Sequence, residues 1–362
     1  KYRCFTNEEF TYQGIALNED ISGCDILLGV KEVPKELLLP NKTYIFFSHV
    51  IKKQARNRKM LQTIIEKKIR LIDWECMKDK KGKRVIAFGR WAGIVGAYHA
   101  LRMVGFRTSK FRLRQMIDCL NFAEAQKELE KLDLPNWKIV LTGTGRVSEG
   151  AAFMLDVAGI KKVSPYNFCY NEFEEPVYTQ LSSADMYHKE GEEKFNAENY
   201  HAHPQQYQSS FYPFIKAADI MINGIYWDKR IPVFFTKEQM KERDFRIKII
   251  SDITCDVAPD SSVPSTLYAS SIADPYYGYN VNTGELIQTF QDDSIDIMAI
   301  DNLPNELPRD ASEDFGNMII SRIIPELQKG DASEMLTGAT IALNGKLNEP
   351  YSYLADYVAG SV

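Results

Sequence analysis

Residues 137–150 read Trp-Lys-Ile-Val-Leu-Thr-Gly-Thr-Gly-Arg-Val-Ser-Glu-Gly: an apolar run, a two-glycine turn and the start of a helix-period segment. Trp137–Thr142 has the length and apolar content of a buried strand, and Val147–Leu155 has helical spacing. A strand that enters a helix through Gly143-Thr144-Gly145 opens a doubly wound α/β unit. Turns of this kind lack Cβ atoms, so backbone N–H groups and the helix N-terminus can approach the pyrophosphate of a dinucleotide. Gly150 stands two positions later than the third glycine of Gly-x-Gly-x-x-Gly. A plain strand-to-helix turn uses the same residue types, and it is the setting after a strand and before a helix that favours the cofactor reading.

Downstream, an acidic residue about 20 positions after the first glycine normally reads the adenosine ribose of NAD. Here Ile160–Tyr166 carries no carboxylate and has Lys161 and Lys162, which leans towards NADP, although lysines near a helix end are commonly just solvated. The Glu-, Tyr-, His- and Gln-rich stretch 169–214 is expected to be an inserted excursion with little sheet. Buried strands resume at 218–223 and 246–252, and a helical stretch is expected over about 311–346. His201-x-His203 would suit a metal if it lay on a strand, but no third ligand is evident, and no metal is expected.

Upstream, 25–31, 43–49 and 69–75 read as strands, with a helix over 52–67 between the second and third. Arg84–Gly89 reads as a fourth strand, a helix opens near Ala92, and 108–132 reads as a connecting helical region. The expected fold class is therefore α/β, with two Rossmann-like doubly wound domains and an interdomain cleft. The first domain is expected from 1–117 plus 302–362, and the dinucleotide-binding domain from 118–301.

The chain of 362 residues is long enough for two cores, and 44% hydrophobic with 26% charged residues is an ordinary globular composition. A net charge of -5 gives no broad attraction for nucleic acid, and no apolar run is long enough for a membrane span. Neither nucleic acid nor membrane is an expected partner, whereas homo-oligomerisation is left open. Six scattered cysteines without a Cys-x-x-Cys pair suit a reducing compartment, read here as the cytoplasm. The sequence opens at Lys1 rather than Met, and a preceding segment is expected in the natural protein.

Three predicted strand ends carry useful groups: Lys31 and Glu32, His49, and Glu75. An amine and an imidazole among carboxylates can exchange protons near neutral pH, which suits oxidation at a carbon bearing nitrogen. Spacing alone favours a plainer reading, a Lys31–Glu32 surface ion pair and a strand-end histidine.

Segments across nearly the whole chain resemble the saccharopine dehydrogenase (L-lysine-forming) and lysine-ketoglutarate reductase family, related to alanine dehydrogenase and the transhydrogenase N-terminal domain. They are Leu28-Gly-Val-Lys-Glu-Val-Pro34, Phe46-Phe-Ser-His49 with Lys52 and Gln54, Leu71-Ile-Asp-Trp-Glu75, Arg84–Gly93, Gly143-Thr-Gly-Arg146, Asp252-Ile-Thr-Cys-Asp256, Asp301-Asn-Leu-Pro304 and Leu307–Ser312. The resemblance reverses the plainer reading of Lys31 and His49. It implies interconversion of saccharopine with L-lysine and 2-oxoglutarate, with NAD or NADP as cofactor. Lys31 looks like the base acting on the substrate secondary amine and His49 like the acid-base group for imine hydrolysis. Glu32 and Glu75 match the carboxylates that tune them, and Lys52 and Arg84 resemble substrate-facing cations. The expected cofactor set is Gly143, Thr144, Gly145, Arg146, Val147, Tyr226, Asp252, Ile253 and Asp301. Two departures stand out. No Arg-x-Glu strand precedes Lys1, and the 169–214 stretch lies where the ribose would be read. An alanine dehydrogenase-like enzyme and a non-catalytic dinucleotide-binding protein are the alternatives.

Overall fold

Ile26–Lys31 (β1), Thr43–Phe47 (β2) and Arg70–Asp73 (β3) pair in parallel, as their apolar patterns predict. In the computed structural model, which describes residues 3–360, they belong to a unit made of the chain up to Ala87 and the chain from Ser312. The helix Ala55–Glu66 turns Met60, Leu61 and Ile64 into a core with Tyr44, Phe46 and Leu71. These apolar residues recur at helical spacing, while the charged residues between them stay outside.

The expected strand at Arg84–Gly89 does not form. Arg84 makes only an isolated bridge with Lys78, and Val85 donates to the Met77 carbonyl at 2.9 Å. The place beside β3 is taken instead by Thr340–Leu343, which runs antiparallel to it and pairs in turn with Lys346–Leu347. The region 311–346, expected to be helical, therefore ends in a strand. Thr340, Ile341 and Ala342 are all buried, which a one-faced helix cannot achieve for three successive residues.

Phe88–Ala311 forms the second unit. Its sheet strands are Lys138–Thr142 (β4), Lys161–Lys162 (β5), Val177–Leu181 (β6), Ile220–Asn223 (β9), Ile249–Asp252 (β10), Tyr276–Asn280 (β11), Leu286–Ile287 (β12) and Ser294–Met298 (β13). Tyr187–His188 (β7) and Gln208–Ser209 (β8) form a separate two-stranded ribbon. The order across the sheet is β12-β11-β13-β10-β9-β4-β6-β5, parallel from β13 to β5. The architecture is α/β with two Rossmann-like units.

One exchange separates this sheet from the expected one. The strand that follows the glycine-turn helix, β5, sits at the sheet's edge, and β6 lies beside β4. Composition explains the exchange: two exposed lysines suit an edge, whereas Val-Tyr-Thr-Gln-Leu can be covered on both faces. The stretch 169–214 is thus not an excursion with little sheet, because it supplies an interior strand.

The expected domain boundaries near 117 and 302 also move. The helix Gly89–Thr108 belongs to the second unit, where it crosses the glycine-turn helix Arg146–Val157 at backbone contact. A Cβ on Gly93 would lie 1.8 Å from the Val147 carbonyl oxygen, and one on Gly150 would lie 2.0 Å from that of Arg90. The late third glycine therefore serves helix-on-helix packing. His99, on the same helix, is fully buried with one ring nitrogen 2.6 Å from the Tyr276 hydroxyl and the other 2.6 Å from the Glu306 carboxylate. The region 108–132 holds only the short helical pieces Met116–Asp118, Phe122–Glu128 and Leu129–Lys131. Among the described residues no helix is long and apolar enough to cross a membrane.

Candidate active site

The end of β3 organises the first unit's site. Asp73 is buried, and its Oδ2 accepts hydrogen bonds from the Ser48 amide at 3.0 Å and from the Ser48 hydroxyl. Its Oδ1 accepts from the Glu75 amide at 2.7 Å. One carboxylate thus ties the turn after β2 to the turn after β3, although burial pushes its pKa above the usual range. The sequence reading singled out Glu75 at this strand end and not Asp73, the acid that closes the apolar run of β3.

The two turns bring His49 and Glu75 together. His49 adopts the left-handed conformation, with φ 55°, which is uncommon for residues other than glycine although His is among the enriched types. Its ring stacks on Phe47 at a centroid distance of 6.2 Å, and its Nδ1 lies 3.3 Å from Glu75 Oε2. Glu75 Oε1 stands 3.6 Å from Lys52 Nζ and 3.6 Å from Arg84 Nη1. A carboxylate at Nδ1 favours the tautomer with its proton there, which leaves Nε2 to take or give a proton.

Lys31 is the last residue of β1, exposed, with its Cα opposite Phe47 of β2. It therefore shares the carboxyl edge of the sheet with His49. Glu32 follows, also exposed, and among the described residues neither Lys31 nor Glu32 has an ion-pair partner. The structure groups Glu75, His49, Lys52 and Arg84, and it does not bring Glu32 to Lys31.

In the second unit, Gly143 has φ +89°, which L side chains rarely adopt, and a Cβ there would meet Ser148 Oγ at 2.8 Å. Gly145 caps the Arg146–Val157 helix without a side-chain hydrogen bond, and nothing lies within 4 Å of where its Cβ would be. An uncapped helix N-terminus beside open space over a glycine fits a dinucleotide pyrophosphate. Thr144 and Gly145 are exposed, and Arg146 and Val147 are half-buried.

The other expected cofactor residues divide. Tyr226 is 91% exposed, and Asp301 is exposed in the turn beyond β13, which ends at Met298. Ile253 is nearly buried and packs against Gly96, where a Cβ would come within 2.4 Å of it. Asp252 is fully buried: its carboxylate accepts from Asn223 at 2.9 Å, Thr254 at 2.7 Å and Thr266 at 2.6 Å. Thr142 of β4 donates to Asn223 at 2.7 Å, and in the strand registers Thr142, Asn223 and Asp252 stand side by side. Sequence reasoning missed Thr142 and Asn223, whose partners lie on strands remote in the chain.

Burial pushes Asp252 up to about 6 despite its three donors. The folded chain thus holds this proton more tightly than the unfolded one, so the stabilisation is full below about pH 4 and is lost as pH rises through about 6. Chemical-unfolding midpoints measured from pH 4 to 7 should fall less steeply in Asp252→Asn than in the wild type, by an amount worth at most about 3 kcal/mol. Parallel profiles would remove Asp252 as a titrating group.

His201 lies in the helix Ala197–Ala202 and His203 just beyond it, not on a strand. Among the described residues no group of three or more His, Cys, Asp or Glu side chains is placed to hold a metal ion.

Residues 1–95 match the family described as alanine dehydrogenase/PNT, N-terminal domain. The mitochondrial alpha-aminoadipic semialdehyde synthase of Bos taurus is 30% identical over 400 residues, which cover 97% of this chain and 43% of that protein. The saccharopine dehydrogenase [NAD(+), L-lysine-forming] of Candida glabrata is 27% identical over 306 residues, covering 82% of this chain and 72% of that one. The chain is linked at the family level to these two groups of enzymes. A solved L-alanine dehydrogenase superposes with a TM-score of 0.60 at 12% identity, covering 99% of this chain and 87% of that one, which is a likeness of fold. The chain spans less than half the length of the Bos taurus relative.

The cytoplasmic expectation is overturned by the same comparison. The Bos taurus relative and its Mus musculus and Rattus norvegicus counterparts are mitochondrial by name. Scattered free cysteines report a reducing interior, and that property does not separate the two compartments.

Proposed function

We propose that this chain interconverts saccharopine with L-lysine and 2-oxoglutarate as an NAD(P)-dependent oxidoreductase. The observation that carries the reading is the Glu75 carboxylate shared by His49, Lys52 and Arg84 at one end of a parallel sheet. A single acid that orients an imidazole and gathers two cations suits proton transfer next to a substrate rich in carboxylates.

A dinucleotide at the glycine turn supplies the hydride acceptor. Lys31 takes the proton of the secondary amine as the carbon–nitrogen bond is oxidised to an imine. His49 Nε2 takes a proton from the water that adds to the imine carbon, and then returns it to the departing lysine amine. Glu75 stabilises the imidazolium between those transfers, while Lys52 and Arg84 hold substrate carboxylates. The sum is saccharopine, NAD(P)+ and water giving L-lysine, 2-oxoglutarate, NAD(P)H and a proton.

The test is oxidation of NADH and of NADPH in the presence of 2-oxoglutarate with L-lysine, set against pyruvate with ammonium. Turnover is expected with the first pair only. Turnover with pyruvate and ammonium alone would make the chain alanine dehydrogenase-like, and coenzyme binding without turnover would make it a non-catalytic binding protein.

A further inference from the structure

β1 departs from regular pairing just before the lysine it delivers. Leu27 stands opposite Tyr44 of β2 and Leu28 opposite Ile45, but the next aligned pair is Lys31 with Phe47. β1 therefore takes three steps where β2 takes two, and the extra residue is accommodated as a bulge at Gly29–Val30. A glycine inside a strand is a common mark of such a place.

The extra residue decides which face of the sheet Lys31 occupies. Strict alternation would put Lys31 on the face of Leu27 and Gly29. That face is apolar, because Leu27 packs against the core that holds Tyr44 and Phe46. A shift of one residue moves a side chain to the opposite face. Lys31 is thereby aligned with Phe47, whose ring stacks on His49 at 6.2 Å and has the Arg84 guanidinium 6.0 Å from its centroid. Amine and imidazole come to one side of the sheet only because β1 carries the additional residue.

Trp74 closes the bulge. It immediately precedes Glu75 and is fully buried, and its Nε1 donates to the Gly29 carbonyl at 2.7 Å. Its ring meets that of Phe315 edge-on at 5.6 Å, and Phe315 lies 6.3 Å from Phe47. A bulge interrupts the ladder and leaves backbone groups to be satisfied elsewhere, which the indole N–H does here for Gly29. One side chain thus ties the strand that ends in Lys31 to the turn that carries Glu75.

We infer that the β1 bulge, held by the Trp74 hydrogen bond, aims Lys31 at the side of the sheet where His49 lies, and that Trp74 is a positioning residue for the reaction. The inference rests on the proposed role of Lys31 and adds what places it.

Trp74→Phe keeps an aromatic ring against Phe315 and removes the donor. With L-lysine, 2-oxoglutarate and NAD(P)H, the full chain carrying it should lose ~10–10²-fold in kcat, the loss that a displacement of about 1 Å can cause, with the coenzyme KM unchanged. In the Lys31→Met background the same substitution should change kcat by less than about twofold, because the group it positions is gone. Deleting Val30 restores alternation and should bring kcat down to the Lys31→Met level. Should that deletion unfold the chain, the Trp74→Phe and Lys31→Met cycle decides alone, with melting temperatures showing that its members are folded.

Wild-type kcat in Trp74→Phe, or an equal fall with and without Lys31, would overturn the inference and leave the proposed function standing. A wild-type chain that turns over neither substrate pair would overturn both.

Discussion

His49→Gln is expected to lower kcat for lysine-dependent NAD(P)H oxidation by ~10²–10⁴-fold, the usual contribution of a positioned acid-base group. The side chain keeps its volume and a hydrogen-bonding amide for Glu75 but cannot take a proton near neutral pH. Lys31→Met should fall by a similar factor, since on the proposed mechanism it removes the amine that exchanges a proton with the substrate nitrogen. Both effects should appear in kcat with little change in coenzyme affinity, because the two residues lie at the strand ends of the first unit and the glycine turn lies in the second. The double variant should lose much less than the product of the single effects if the two groups act in one proton sequence. Wild-type turnover in either single variant would remove that residue from the mechanism.

Gly150→Ala should cost the fold about 3 kcal/mol or more, the upper range for overpacking, because the added methyl meets the Arg90 carbonyl rather than a movable side chain. Gly93→Ala should cost as much, against the Val147 carbonyl. The two helices can yield only by separating, so the second substitution should cost less once the first is present. Gly145→Ala is the contrasting case. Nothing stands within 4 Å of its added methyl and its φ of -84° is ordinary, so the unfolding midpoint should stay put while dinucleotide binding weakens. Equal midpoints for all three variants would mean that the two helices do not meet at glycine.

Much of the fold was legible because it is written in local pattern. β1, β2, β3 and β4 each appear as a short apolar run that ends in a polar residue, and all form within a residue or two of expectation. Arg84–Gly89 misled because β-branched and aromatic residues pack equally well in an irregular segment that leads into a helix. Thr340–Leu343 and β6 were hidden for the opposite reason. Each is four or five residues long, surrounded by polar or helix-forming sequence, and becomes a strand only because a partner strand is waiting for it.

The candidate site divides in the same way. His49, Glu75, Lys52 and Arg84 could be named from the ends of predicted strands and from resemblance. Asp73, which holds the turns that carry His49 and Glu75, could not, because its partners emerge only when β2 and β3 lie side by side. Asp252 was named from the end of a predicted strand, and only the fold shows its fully buried carboxylate accepting from Asn223, Thr254 and Thr266.

The sequence by itself determined the α/β class, the glycine turn after β4 and the residue types at the strand ends, since these follow from period, length and the steric freedom of glycine. Tertiary structure alone decided that Thr340–Leu343 completes the first sheet, that Gly150 serves a helix crossing, and that β6 rather than β5 borders the glycine turn. Order within a sheet depends on which strand can be covered on both faces, and a strand such as Lys161–Lys162 reveals its edge position only in competition with a better-covered neighbour.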